Sequence, residues 1–202
     1  MKNTLLFCLF TFFAFFSFSQ NFKGGVIAGV STSQVSGDAL GGFHKAGLYL
    51  GVFTELPISP ISNIKMEMNY IQKGSNNPKI FENNMPDIST SYIEVPISVN
   101  YFQNEITSFE VGIQTAFLLN FSDNDLYGPI PNDQSIAFNK VDLGAFIGMN
   151  YHLTNNILLN SRISNSILPV RPHASGAIYQ LNRGQYNSVL SFTLHYIIWS
   201  IQ

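Results

Sequence analysis

The chain has 202 residues, a formal net charge of −2, and 11% charged against 46% hydrophobic residues, with one cysteine. So small and scattered a charge excludes a nucleic-acid-binding surface, and a lone cysteine excludes a disulfide framework. In chain order, Met1-Lys2-Asn3-Thr4 opens with a positive charge, and Leu5 to Phe16 is an almost unbroken apolar run. A run of about 12 apolar residues suits a signal peptide and falls short of the ~20 that span a bilayer as a helix. Ser17-Phe18-Ser19 places small residues at the two peptidase positions, so residues 1–19 are expected to be removed between Ser19 and Gln20. Residues 20–202 then form one domain. Bulky Phe7 before Cys8, and apolar residues well beyond it, argue against a lipoprotein, so Cys8 leaves with the leader. Loss of Lys2 leaves nine basic against twelve acidic residues and no thiol, which excludes a thiolate metal site and a cysteine nucleophile.

After Gln20 the hydrophobicity has a period of two. Gly-rich runs at 22–35 and 45–56 come first. Lys65-Met66-Glu67-Met68-Asn69-Tyr70 then alternates strictly, which is the signature of a strand. The alternation returns in Tyr92–Tyr101, Glu110–Phe117, Asp142–Tyr151 and Ser191–Tyr196, and the run 156–168 completes about eight strands. Each is near the ~9–11 residues of a membrane-crossing strand. The connections alternate in length: Ser36–His44 is moderate, Pro57–Ser62 short, Gly74–Thr90 long, Gln103–Ile106 short, Ser122–Asn139 long, Leu153–Asn155 tight and Pro169–Gly184 long. The long ones are rich in Asn, Asp, Ser, Gly and Pro, which favour turns over ladders. The expected fold is all-β: an eight-stranded antiparallel up-and-down transmembrane β-barrel with short periplasmic turns and long extracellular loops.

One phase of the alternation, running from Val26 and Val30 through Met66, Met68, Val111 and Ile147 to Ile198, carries no charge. The other carries Lys65, Glu67, Asn69, Glu94, Ser98, Asn100, Glu110, Gln114, Asp142, Asn150, Arg162, Ser164, Thr193 and His195. A soluble barrel would turn its apolar face inward; a membrane barrel turns it to lipid, where every backbone group must be paired within the sheet. The low charge favours lipid, because a soluble exterior carries ~25–35% charged residues. Tyr101, Phe102, Tyr151, Trp199, Phe121, Phe138 and Tyr186 lie near strand ends and are expected as interfacial girdles.

The stretch Met66-Glu67-Met68-Asn69-Tyr70-Ile71-Gln72-Lys73-Gly74, followed by Tyr92-Ile93-Glu94-Val95-Pro96-Ile97, resembles the third and fourth strands of the PorT-like outer-membrane β-barrel family. Gly25–Val30, Ala46-Gly47-Leu48, Asp142-Leu143-Gly144 and Leu158–Leu168 with its single Arg162 fit the same pattern, so the resemblance covers nearly the whole mature chain. It implies a small closed barrel in the outer membrane. The name-giving member is associated with protein secretion and gliding, roles that fold alone does not transfer. Such barrels usually end in an aromatic residue, whereas this chain ends Trp199-Ser200-Ile201-Gln202, so Trp199 is expected to serve with a short overhang.

An eight-stranded barrel is filled by its own side chains, which excludes a wide pore. The inward Lys65, Glu67, Glu94, Glu110, Asp142 and Arg162 are expected to form an ionic plug, with Glu67 and Arg162 paired across the lumen. No cofactor or metal is expected. His44, Asp38, His173 and Asp87 fall in outer loops without any nucleophile or zinc-binding spacing, and Asp123, Asp125 and Asp133 lack the glycine and glutamate of a calcium loop. The function expected is structural or interactive: a barrel in outer-membrane lipid whose loops meet a ligand, a protein or a surface polymer. Two alternatives belong to other classes. A soluble lipocalin-like carrier would line its cavity with Met66, Met68, Ile93, Val95 and Ile97 and expose Glu67 and Glu94; an enzyme at the lipid surface would depend on His44 and His173.

Overall fold

The computed structural model describes residues 22–38, 40–78, 80–83, 85–131, 135–173 and 184–200. The expected leader and its cleavage point lie outside these residues, as do Asp133, Ile201 and Gln202. Eight long strands follow one another: β1 Lys23–Ser36, β2 Lys45–Ser59, β3 Ser62–Ser75, β4 Asp87–Phe102, β5 Thr107–Asp125, β7 Val141–His152, β8 Ile157–Ser166 and β9 Tyr186–Ser200. A two-residue strand, β6 (Gly128–Pro129), and a single helical turn, α1 (Ile80–Asn83), lie in the long loops. Each long strand pairs antiparallel with the next, and β1 pairs with β9, so the sheet closes into the expected eight-stranded barrel.

The short turns follow from their side chains. Asn104 Oδ1 accepts from the amides of Ile106 and Thr107, and Thr154 Oγ1 from those of Asn156 and Ile157. An Asx or hydroxyl turn of this kind replaces backbone bonds that the reversal removes. The β2–β3 reversal is tighter than expected: β2 continues through Pro57 to Ser59, which pairs with Ser62 around Pro60-Ile61. The ladder is irregular between Pro57 and Ser59, where proline has no amide to contribute. At Pro96 the β3–β4 ladder is interrupted between Met66–Ile97 and Asn69–Glu94, with the register unchanged.

The faces divide as the alternation predicts. Val30, Met66, Met68, Val111, Ile113 and Ile147 point outward, each about half exposed or more, while Lys65, Glu67, Glu94 and Arg162 are 3% exposed or less. The lipocalin-like alternative is thereby overturned, since it needed Met66 and Met68 inside and both glutamates in water. Among the described residues no helix is long and apolar enough to cross a membrane, so the apolar belt belongs to the strands.

Two β-bulges shape the girdle, one against the expectation and one in keeping with it. Ser91 pairs with Asn120 but Tyr92 with Leu118, so Leu119 and Asn120 both face out and the following parity inverts. Phe121 therefore turns inward and stacks on the buried Phe138 at 5.5 Å, and neither belongs to the outer girdle. A second shift, between Gly24 and Gly25 opposite β9, leaves Ile198 and Trp199 both exposed. Trp199, which strict alternation would send into the lumen, is thereby re-aimed outward. Its indole lies over Gly24, where any Cβ would come within 2.5 Å of the ring. Tyr101 and Tyr151 are exposed at the short-turn end, where a girdle is expected.

Candidate functional site

The lumen is built from alternate residues of all eight strands, and the expected six-residue plug resolves into two ionic groups. In the first, the Arg162 guanidinium grips Glu67 through Nη1–Oε2 at 3.1 Å and Nη2–Oε1 at 2.7 Å, and donates Nε to Glu110 Oε1 at 2.7 Å. Lys65 Nζ closes the square, 2.9 Å from Glu110 Oε2 and 3.2 Å from Glu67 Oε1. The guanidinium also stacks over Phe146, 4.2 Å from its centroid, and Nη1 donates to the Tyr49 hydroxyl at 3.3 Å. Two cations and two carboxylates cancel. Such neutrality makes burial tolerable, because each desolvated charge keeps a partner and its hydrogen bonds.

Glu94 and Asp142 belong to the second group, whose cation is Lys73. Its ammonium is ion-paired with Glu94, lies 3.7 Å from Asp142 Oδ2 and sits 5.0 Å above the Tyr92 ring. Gln114 donates to Glu94 at 3.1 Å and Asn187 to Asp142 at 3.0 Å. Sequence reasoning passed over Lys73 because Gly74 beside it reads as the start of a loop. Its parity with Lys65 and Glu67 was the available signal.

Toward the short turns a chain of amides crosses the strands. Asn160 donates to Asn150 at 2.8 Å, Asn150 to Asn100 at 3.1 Å, Asn100 to Asn63 at 2.7 Å, and Asn63 to Glu55 at 3.2 Å. The lumen is also more apolar than its polar phase suggested. Ile27, Tyr49, Phe53, Ile71, Tyr92, Ala116, Val189 and Ile197 form one buried cluster among the polar groups.

At the long-loop end a smaller cluster of Val35, Ile88, Phe138 and Val170 fills the mouth. Arg171 fastens it: Nε donates to Gln185 at 2.5 Å, Nη1 to Asp123 at 2.8 Å, and the guanidinium stacks 4.3 Å above Phe138. Ser135 also donates to Asp123, at 2.5 Å, so that carboxylate serves a latch between the β5–β7 and β8–β9 loops. Asp125 accepts the Tyr127 amide within its own hairpin.

The loop residues considered for acid–base chemistry stitch backbone. Asp38 accepts from the Leu40 amide, Asp87 from the Asn77 amide, and a His173 ring nitrogen lies 3.2 Å from the Gly37 carbonyl. Burial raises the Asp38 carboxyl above its ordinary pKa, against the opposing hydrogen bonds of Ser75 and the Leu40 amide. The His44 ring packs beside Gly42.

A closed barrel that is apolar outside and ion-paired inside is built for a bilayer. Residues 17–170 match the family described as outer membrane protein beta-barrel domain, and the chain belongs to that family and to the outer membrane. In fold it is similar to Ail, the attachment invasion locus protein of Yersinia pestis, solved with the heparin analogue sucrose octasulfate. That likeness has 13% identity and a TM-score of 0.53, over 88% of this chain and 99% of that one. It is similar also to Neisserial surface protein A, with 15% identity and a TM-score of 0.56, over 86% of this chain and 96% of that one. At these identities the likeness is one of fold. No curated protein is significantly similar to the chain.

Proposed function

We propose that this protein is a non-enzymatic interaction barrel whose lumen is a packed, ion-paired plug and whose long outer loops carry the function. The observation behind this reading is the double closure of the interior, by two ion-paired layers at mid-lumen and by the Phe138–Arg171 latch at the mouth. With the interior committed to packing, recognition falls to the loops, where Phe81 and Tyr127 are 86% and 88% exposed. Large aromatics held out in water are common anchors for partners. The sucrose octasulfate complex of Ail is a precedent for ligand binding by a barrel of this fold. Membership of the PorT-like subfamily, with its secretion and gliding association, rests on the resemblance of β3 and β4. Removal of residues 1–19 belongs to the same reading.

Two measurements test it. Planar-bilayer recordings of the purified barrel should show no discrete conductance steps. A photo-cross-linking residue at Phe81 or Tyr127 should yield adducts on intact cells that the same residue at lipid-facing Val111 does not. Regular conductance steps would defeat the plug, and equal adduct patterns at all three positions would defeat the loop assignment.

A further inference from the structure

The barrel wall is not continuous at its upper edge. The β1–β2 ladder runs on to Ser33–Lys45 and the β3–β4 ladder to Ser75–Ile88, but β2 and β3 stop pairing at Tyr49–Ile71. Above that point β3 tucks beneath the inner face of β1 and β2. The lumen-side hydroxyl of Ser31 donates to the Gln72 carbonyl at 2.9 Å, and that of Ser33 to the Gly74 carbonyl at 3.0 Å. Gly47 permits this approach, since a Cβ there would lie 2.2 Å from the Gln72 oxygen.

The consequence is a free edge on β2 overhanging a recess. The Leu48 amide on this edge is met by the Gln72 side chain at 3.2 Å rather than by a ladder carbonyl. By the two-residue period, Ala46 directs its amide and carbonyl to the same edge, and Ala46 lines the recess. The recess measures about 370 Å³, and its other walls include Lys45, Tyr70, Gln72, Ser91, Asn120 and Ser122. The bulge in β5 is what turns Asn120 outward. Lys45 Nζ donates to the neutral Ser89 Oγ at 2.6 Å, and among the described residues no carboxylate is ion-paired with it.

Height fixes what this recess meets. Outward residues change from Ile93 to Ser91 on β4, from Leu119 to Asn120 on β5, and from Met68 and Tyr70 to Gln72 on β3. With ~3.3 Å rise and ~40° tilt, the run from Tyr101 up to Ile93 covers about 20 Å of a ~25 Å apolar band. The recess therefore opens sideways at the level of the outer-leaflet headgroups. We propose that it binds the phosphorylated saccharide headgroup of an outer-leaflet glycolipid, with Lys45 on a phosphate and Gln72, Asn120, Ser122 and the Ala46 backbone on sugar hydroxyls. Lys73 also borders the recess, but its ammonium is buried and ion-paired with Glu94, so Lys45 is the one cation left to a ligand. One available cation among neutral donors and acceptors suits a phosphosugar better than an acidic peptide, which needs several.

The test uses the full-length barrel in detergent, titrated with diphosphoryl lipid A or with lipid A stripped of both phosphates, with bound lipid counted by native mass spectrometry. Wild type should retain one diphosphoryl molecule. Lys45→Gln should bind it roughly tenfold to a hundredfold more weakly, the range for one charge-assisted bond. Ala46→Trp and Asn120→Leu, which fill or depolarise the recess, should also weaken retention, whereas Lys140→Gln on an exposed loop should not. A boiled-against-unboiled gel shift shows that each variant has closed, and the two neutral substitutions keep the test alive if Lys45→Gln does not. Equal binding of the two lipids would overturn the proposal, as would equal losses in Lys45→Gln and Lys140→Gln. Displacement of the lipid by millimolar inorganic phosphate would mark a free-anion site, and a co-purifying peptide in the recess would mark a strand-addition site; either result overturns it.

Discussion

Arg162 on β8 and Glu67 on β3 meet as two forks across the lumen, 95 residues apart in sequence, with both guanidinium Nη atoms on both carboxylate oxygens. The pair is not isolated, because Glu110 takes Nε and Lys65 bridges the two carboxylates. Removing the guanidinium strands two desolvated carboxylates with one ammonium between them. Arg162→Met should therefore lose about 3–5 kcal/mol, the usual cost of breaking a buried pair from one side. Urea titration in lipid vesicles, followed by the unboiled gel band, reads that loss. An unchanged midpoint would mean the network contributes nothing.

The second group shares no partner with the first among the described contacts. Lys73→Met should cost a similar amount, and the double variant with Arg162→Met should be additive to within about 0.5 kcal/mol. A coupling of 1 kcal/mol or more in the cycle would show one continuous plug instead of two.

The asparagine chain makes a separate prediction, because Asn150 both donates and accepts within it. Asn150→Leu leaves the Asn100 carbonyl and the Asn160 amide short of a partner and should cost about 1–3 kcal/mol. Amide exchange on β4, β7 and β8 locates the effect.

The lipid face is tested at Met68, 57% exposed and mid-strand on β3. Met68→Lys should destabilise the folded barrel by about 2–4 kcal/mol if that position lies near the bilayer midplane. Met68→Leu should be almost neutral. Were the lysine variant as stable as wild type in vesicles, the outer surface would be facing water.

Loosening the mouth should be local. Arg171→Ala frees Asp123 and Gln185 and uncovers Phe138, so limited proteolysis should begin cutting the β5–β7 and β8–β9 loops while the protected barrel fragment keeps its gel shift. Protease resistance equal to wild type would show that the latch is redundant.

Much of the architecture was legible without coordinates. Period two in segments such as Lys65–Tyr70 assigns Met66 and Met68 to one face and Lys65 and Glu67 to the other, because side chains alternate along any strand. Alternating loop lengths then order eight strands up and down. The pattern broke where the backbone did. Phe121, expected in the outer girdle from its place near a strand end, turns inward because a single extra residue in a bulge inverts the parity. A second bulge is what carries Trp199 outward, where it is expected, against strict alternation. No local propensity signals a bulge at Leu119 or near Ile198.

By itself, then, the sequence determined the strand number, the wet and dry faces and six of the charges sealed inside, since these depend on neighbours one or two residues away. The closed sheet alone decided which carboxylate faces Arg162, that Lys73 rather than Arg162 serves Glu94 and Asp142, that Phe138 plugs the mouth, and that β3 slips under β2 beside Lys45. Those contacts join residues brought together by register and closure, and a shift of one residue in any ladder would reassign them all.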